Sequence, residues 1–194
     1  MRQAELARKT LETDIKVKLV LDGRGATSLD TGIGFMDHML DSLCRFAYFD
    51  LELKAVGDLK VDQHHTVEDC GIVLGQALKE ALGDKKGIQR TADCLFPMDE
   101  ALAQVAVDIS NRGYLVWQVD CPSGLVGDFP VELAEEFFRA LALNAGITLH
   151  IRLLYGNNKH HILEAIFKAV GRALGLAAGF DRRNPGIPST KGVL

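Results

Sequence analysis

Asp62-Gln-His-His-Thr-Val-Glu-Asp69 returns later in the chain as Asn158-Lys-His-His-Ile-Leu-Glu164. Two adjacent histidines with a glutamate three residues after the second form a rare string, and this chain of 194 residues carries it twice. On a helix, His64 and Glu68 are four apart and share a face, while His65 points roughly 100° away. His160 and Glu164 share a face in the same way, with His161 turned off it. Neighbouring rings that diverge cannot easily chelate one ion together, but each can feed a different one. The doubled string therefore predicts two metal sites, each receiving ligands from both copies, rather than two unrelated pairs of surface histidines.

The copy extends beyond the motif. Shifted by 96, His64, His65, Glu68, Gly75, Ala77, Leu78, Ala81 and Gly83 match His160, His161, Glu164, Gly171, Ala173, Leu174, Ala177 and Gly179. Shifted by 88, Glu12, Val17, Arg24 and Gly25 match Glu100, Val105, Arg112 and Gly113. Self-similarity at a fixed offset is the mark of an internal duplication. The local patterns repeat in the same order. Residues 11–22 alternate apolar and polar and predict a strand, 35–44 have helical spacing, 50–56 alternate again, and His64 to Leu82 predict a long helix closed by Gly83. In the second half, 100–109 and 115–119 read as strands, 131–145 as an amphipathic helix, 148–154 as a strand and 160–176 as the second long helix. The predicted class is α+β: two duplicated halves, each a small four-stranded sheet covered by two helices, packed as one unit. The halves are residues 1–87 and 88–194, joined by the tight connection Lys85-Lys-Gly-Ile-Gln-Arg90 and sharing one core.

Bulk properties narrow the function. A chain this long buries about 70% of its unfolded surface, and 47% hydrophobic residues suit a soluble globular protein. A net charge of −4 argues against general nucleic-acid binding, which needs a basic excess. The N-terminus lacks the apolar stretch of a secretory signal, and no apolar run approaches the ~18 residues of a membrane span. Cys44, Cys70, Cys94 and Cys121 are 24 to 27 residues apart with no C-x-x-C pair, so they read as reduced packed cysteines of a cytoplasmic protein.

The six histidines are His38, His64, His65, His150, His160 and His161. With Glu68 and Glu164 they divide evenly into two sets of three nitrogens and one carboxylate. Such a set leaves coordination positions open, as a catalytic rather than a structural site requires. Mixed imidazole and carboxylate ligands suit Mn, Fe, Co, Ni or Zn. Asp62 and Asp69 are candidates to fix a ring tautomer or to cap a helix. Arg90, Arg112 and the tail Ile187-Pro-Ser-Thr-Lys-Gly192 carry the cationic and hydroxyl donors that hold phosphate.

These segments together resemble the imidazoleglycerol-phosphate dehydratase family of histidine biosynthesis. The resemblance runs in order from Arg8-Lys-Thr-Leu-Glu-Thr13 through Gly34-Phe-Met-Asp-His-Met-Leu40, Asp62 to Asp69, Lys86-Gly-Ile-Gln-Arg90 and Asn157 to Ala165. It ends at Pro188-Ser-Thr-Lys-Gly-Val-Leu194. Gln63 stands where a second aspartate is common, Gly113 where proline is common, and the segment after Leu43 lacks a histidine often seen there. None of these departures removes a candidate ligand. The resemblance implies halves of the ribosomal protein S5 domain 2-like type and a carbon–oxygen lyase. That lyase dehydrates D-erythro-imidazoleglycerol phosphate to imidazoleacetol phosphate.

It further implies two Mn²⁺ ions per active site, a cytoplasmic 24-subunit homo-oligomer with active sites between subunits, and neither membrane nor nucleic-acid partners. The implied metal ligands are His38, His64, His65, Glu68, His150, His160, His161 and Glu164. The implied catalytic set is Glu12, His38, His65 and Glu164, with Glu12 as proton shuttle. Substrate contacts fall to Glu12, Arg90, Arg112, Ser189 and Lys191. How His38, His65, His150 and His161 divide between the ions stays open. Two other readings fit the residues alone: a dinuclear metallohydrolase of a small phosphate ester, and a non-catalytic assembly protein bridged by metals.

Overall fold

The computed structural model describes residues 1–194. Its first half contains β1 (Gln3–Lys9), β2 (Thr13–Val20), β3 (Thr27–Asp30), α1 (Gly34–Ala47), β4 (Asp50–Gly57) and α2 (His64–Leu82). The second half contains β5 (Thr91–Met98), β6 (Ala101–Asp108), β7 (Tyr114–Gln118), the short ribbon β8 (Leu125–Val126) and β9 (Phe129–Pro130), α3 (Leu133–Ala145), β10 (Thr148–Tyr155) and α4 (Lys159–Ala178).

Period-2 patterning makes each large sheet one-sided. Ile15, Val17 and Leu19 of β2 and Leu51 and Leu53 of β4 face the interior, while Lys16, Lys18, Glu52 and Lys54 face out. Ala103, Val105 and Val107 of β6, with Leu149 and Ile151 of β10, repeat this in the second sheet. The strand orders are β1-β2-β4-β3 and β5-β6-β10-β7, antiparallel except for the last pair of each. The two halves are therefore topological copies.

Helices from the two halves pair with one another: α1 lies against α4 and α2 against α3, so the helices form the middle of the molecule between the two sheets. Small residues let the helix backbones touch. A Cβ on Gly71 would sit 2.6 Å from the Phe137 carbonyl oxygen, and one on Gly75 would sit 2.7 Å from that of Leu141. Gly171 and Gly175 meet the carbonyls of Leu43 and Ala47 even more closely. Each long helix thus carries glycines four apart on the face that meets its partner, the spacing that puts both on one stripe. One continuous cluster of buried apolar residues runs from Ala4 to Ala178 through both halves.

These contacts extend the duplication. Gly75 meets Leu141 where Gly171 meets Leu43, and Gly113 abuts Leu143 where Gly25 abuts Arg45. Both correspondences place α3 at an offset of 98 from α1.

The α+β class with two four-stranded sheets and four helices is as the sequence predicts. What the pattern reading misses is the sheet edges. β1 and β5 lie at the rims, where burial alternates between exposed and mostly half-buried positions rather than exposed and fully buried ones. β5 even accommodates Pro97, which an edge strand tolerates. Glu12, expected at a strand edge, lies instead in the turn between β1 and β2. No helix is long and apolar enough to cross a membrane, and all four cysteines are free.

Candidate metal centre and its surroundings

Both doubled motifs open a long helix, and both use a short polar side chain to start it. Asp62 Oδ1 accepts from the His64 amide at 2.8 Å, and Asn158 Oδ1 accepts from the His160 amide at 2.9 Å. Asp62 is therefore a cap for an otherwise unpaired N–H. The helical rise then brings His64 Nε2 to 3.8 Å from Glu68 Oε2 and His160 Nε2 to 3.0 Å from Glu164 Oε2.

Packing of α1 on α4 adds a third side chain to the second pair. His38 Nε2 lies 3.3 Å from Glu164 Oε2, and one ligand atom each of His38, His160 and Glu164 lies within 4.8 Å of the others. Two imidazole nitrogens and a carboxylate oxygen, with no thiolate beside them, suit a divalent transition metal and leave positions open. The Glu164 side chain is only 9% exposed. Burial alone would raise its carboxyl, but Lys168 at 2.6 Å, followed by His38, holds it below the ordinary glutamate value. Phe35 closes one side, its ring 5.3 Å from that of His160.

His65 and His161 turn away, and each finds a carboxylate. His65 Nδ1 lies 3.0 Å from Asp58 Oδ2 and 3.8 Å from Glu12 Oε2. His161 Nδ1 lies 2.7 Å from Glu100 Oε2. The Asp58 hydrogen bond pushes the His65 imidazole up, and the Glu100 bond does the same for His161. Glu100 in turn is pulled down to about 2, first by His161 and then by the Asn158 amide. A carboxylate on Nδ1 leaves Nε2 as the nitrogen free to bind an ion, the usual arrangement behind a metal-bound histidine. Sequence reading overlooked Asp58 and Glu100, although Glu100 was visible as the copy of Glu12. Asp69 touches no histidine; it holds Arg8 and Thr13.

The remaining candidates gather elsewhere. Arg90 Nε donates to Asp108 Oδ1 at 2.7 Å and its Nη1 donates to the Pro188 carbonyl at 2.8 Å. The exposed Arg112 reaches the same Asp108 at 3.8 Å. Gly87 N–H donates to the Gly186 carbonyl at 2.8 Å, so the tail that carries Ser189 and Lys191 is strapped to the connection between the halves. His150 is exposed on the outer face of the second sheet and lines a shallow depression with Thr91, Asp93 and Asp108. It joins neither histidine cluster of its own chain.

The two groups of residues lie at opposite ends of β6. Glu100, which holds His161, precedes Ala101 at one end, and Asp108, which holds Arg90, is at the other. Seven residue steps at roughly 3.3 Å put the two ends of β6 about 23 Å apart.

Comparison with known proteins gives the family of the chain. The sequence model of the family described as imidazoleglycerol-phosphate dehydratase matches residues 31–174. The imidazoleglycerol-phosphate dehydratase of Desulfitobacterium hafniense (strain Y51) is 66% identical over 194 residues, covering 100% of this chain and 99% of that protein. The protein of the same name from Pelobacter propionicus is 58% identical over 193 residues, covering 100% of this chain and 99% of its own. Among solved structures, imidazoleglycerol-phosphate dehydratase from Staphylococcus aureus superposes with a TM-score of 0.84 at 41% identity, covering 92% of this chain and 99% of that one. The IGPD of Pyrococcus furiosus gives 0.84 at 38% identity, covering 97% and 100%. The chain belongs to the imidazoleglycerol-phosphate dehydratase family.

Proposed function

We propose that this chain is a lyase of histidine biosynthesis that removes water from D-erythro-imidazoleglycerol phosphate to give imidazoleacetol phosphate. Family membership over the full chain supports the reaction. The observation that carries the mechanism is the convergence of His38, His160 and Glu164 at the head of α4, repeated in part by the His64–Glu68 pair at the head of α2.

The chemistry explains why such residues are needed. The hydroxyl lost is on the carbon next to the imidazole, and the proton lost is on the following carbon, with no carbonyl beside it. The ring itself has to store the electrons. Divalent ions, Mn²⁺ in our reading and two per active site, would supply Lewis acidity at the two ring nitrogens. His38, His160 and Glu164 would hold one ion, and His64 and Glu68 the other. His65, His150 and His161 would supply further nitrogens, from this or a neighbouring subunit. Glu136 on α3 stands at the offset of 98 that relates it to His38 on α1; it would add a carboxylate on the α2 side. Glu12 is the general base that takes the proton from the C–H carbon, and the enol left behind rearranges to the ketone. Arg90, Arg112, Ser189 and Lys191 bind the phosphate.

The ~23 Å length of β6, which separates the His161 end from the Arg90–Arg112 end, exceeds the span of a substrate this small. We therefore assign the two groups of one active site to different copies of the chain, in a homo-oligomer for which we propose 24 subunits. Metal analysis of the purified protein, combined with an assay on imidazoleglycerol phosphate before and after chelation, tests the reading. Bound divalent ion and turnover should disappear together and return with Mn²⁺. Full turnover by rigorously stripped protein would defeat it.

A further inference from the structure

The Glu12 side chain is 54% exposed on a short turn, an arrangement that by itself leaves a carboxylate free to wander. The turn is braced from within: Thr10 Oγ1 accepts from the amides of Glu12 at 3.1 Å and Thr13 at 3.0 Å. It is braced from below as well. Thr13, 3% exposed, donates its hydroxyl to Asp69 Oδ2, and Arg8 Nη1 donates to the same oxygen. Asp69 is 7% exposed on α2, four residues after His65, so it lies one turn below that ring on the same face. Both strands that carry the Glu12 turn are thus clamped to the helix stripe that presents His65.

The second half shows that this fold does not need the clamp. At the offsets that superpose the halves, Arg8, Thr13 and Asp69 correspond to Phe96, Ala101 and Ala165. All three are apolar, and Ala101 and Ala165 are fully packed. The same strand–turn–strand on helix is held there by packing alone. Replacing a buried ion pair by apolar groups is commonly neutral or stabilising, so a buried carboxylate kept in one copy only calls for a role other than stability. The two glutamates also differ. Glu100 is tied directly by His161 and by the amides of Asn157 and Asn158, whereas Glu12 has none of these bonds and depends on its turn for its position.

We propose that Asp69, acting through Thr13 and Arg8, is a positioning residue that holds Glu12 against His65 for proton transfer. This rests on Glu12 being the general base. Misplacing a reacting group by about 1 Å costs on the order of 100-fold. Thr13→Val, which keeps shape and removes only the hydroxyl, should lower kcat about 10- to 100-fold. KM, bound metal and melting temperature should stay near the parent values. Thr13→Ser should restore kcat, and Thr13→Val placed on Glu12→Gln should slow that variant no further. Normal kcat in Thr13→Val beside a crippled Glu12→Gln would overturn the positioning role, as would a loss of metal or melting temperature that tracks the loss of turnover. Full activity in Glu12→Gln would instead remove the general base on which the role depends. Asp69→Asn gives an independent reading: the same fall in kcat with unchanged metal content is expected, and unchanged kcat counts against the proposal.

Discussion

Glu12 and Glu100 hold the same place in the two halves but are bound differently. Glu100 accepts three hydrogen bonds and is pulled down to about 2, first by His161. Glu12 stands 3.8 Å from its histidine, because Asp58 has taken the ring nitrogen. A carboxylate relieved of structural duty can exchange a proton. Glu12→Gln should therefore keep metal content and particle size while lowering kcat by about 10²- to 10⁴-fold, the usual weight of a general base. Steady-state kinetics with metal analysis on one preparation checks this. His160→Ala should act in the opposite way, losing bound divalent ion as well as turnover. The His-Glu pairs were legible in the sequence because four residues on a helix fix their geometry. His38 on Glu164, Asp58 on His65 and Asp69 under Thr13 were not, since those contacts depend on how separate elements pack.

The helices meet through glycine, and the magnitudes say what that closeness is worth. Alanine at an exposed helix position would gain up to about 1 kcal/mol over glycine. At Gly171 the added methyl would drive into the Leu43 carbonyl, and overpacking of this kind costs about 1–3 kcal/mol. Gly171→Ala should thus lower stability, with the melting temperature falling about 2–4 °C per kcal/mol for a chain of this size, as thermal unfolding would show. Another element owes its shape to one charge. Asp50 accepts from the amides of Arg24 at 2.7 Å and Ala26 at 2.8 Å, folding the turn after β2 onto β4. Those amides, Arg24 first, hold its carboxyl below the ordinary value. The bonds favour the ionised form in the folded state, so their stabilisation is present above the normal carboxylate range and is lost as pH falls through the lowered value. Asp50→Ala should cost about 2 kcal/mol at neutral pH and less in acid, measured by denaturant titration at several pH values. The central strands and long helices could be read from periodicity. The rims were missed, because their inward residues are mostly only half-buried and stand out less from their exposed neighbours.

Over the whole molecule, the length of β6 between the His161 end and the Arg90–Arg112 end sets a test of shared active sites. Co-expressed His160→Ala and Arg112→Ala chains, each inactive alone, should form mixed particles. With random assembly about a quarter of the sites would combine an intact histidine group with an intact arginine group, so up to about a quarter of parent activity should return. No recovery in particles shown to be mixed would place all the groups of a site on one chain. The separation was invisible in the sequence, which gave no sign that His150 and the arginines would lie at the far end of the second sheet. The cross-half helix pairing also bears on origins. Each long helix spends its glycine stripe on a helix from the opposite half, so an ancestor encoded by one half alone would have presented two bare apolar helices to water. Such a precursor would have needed a second identical chain to cover them, and joining that pair end to end would free one twin's glutamate from the bonds the other keeps.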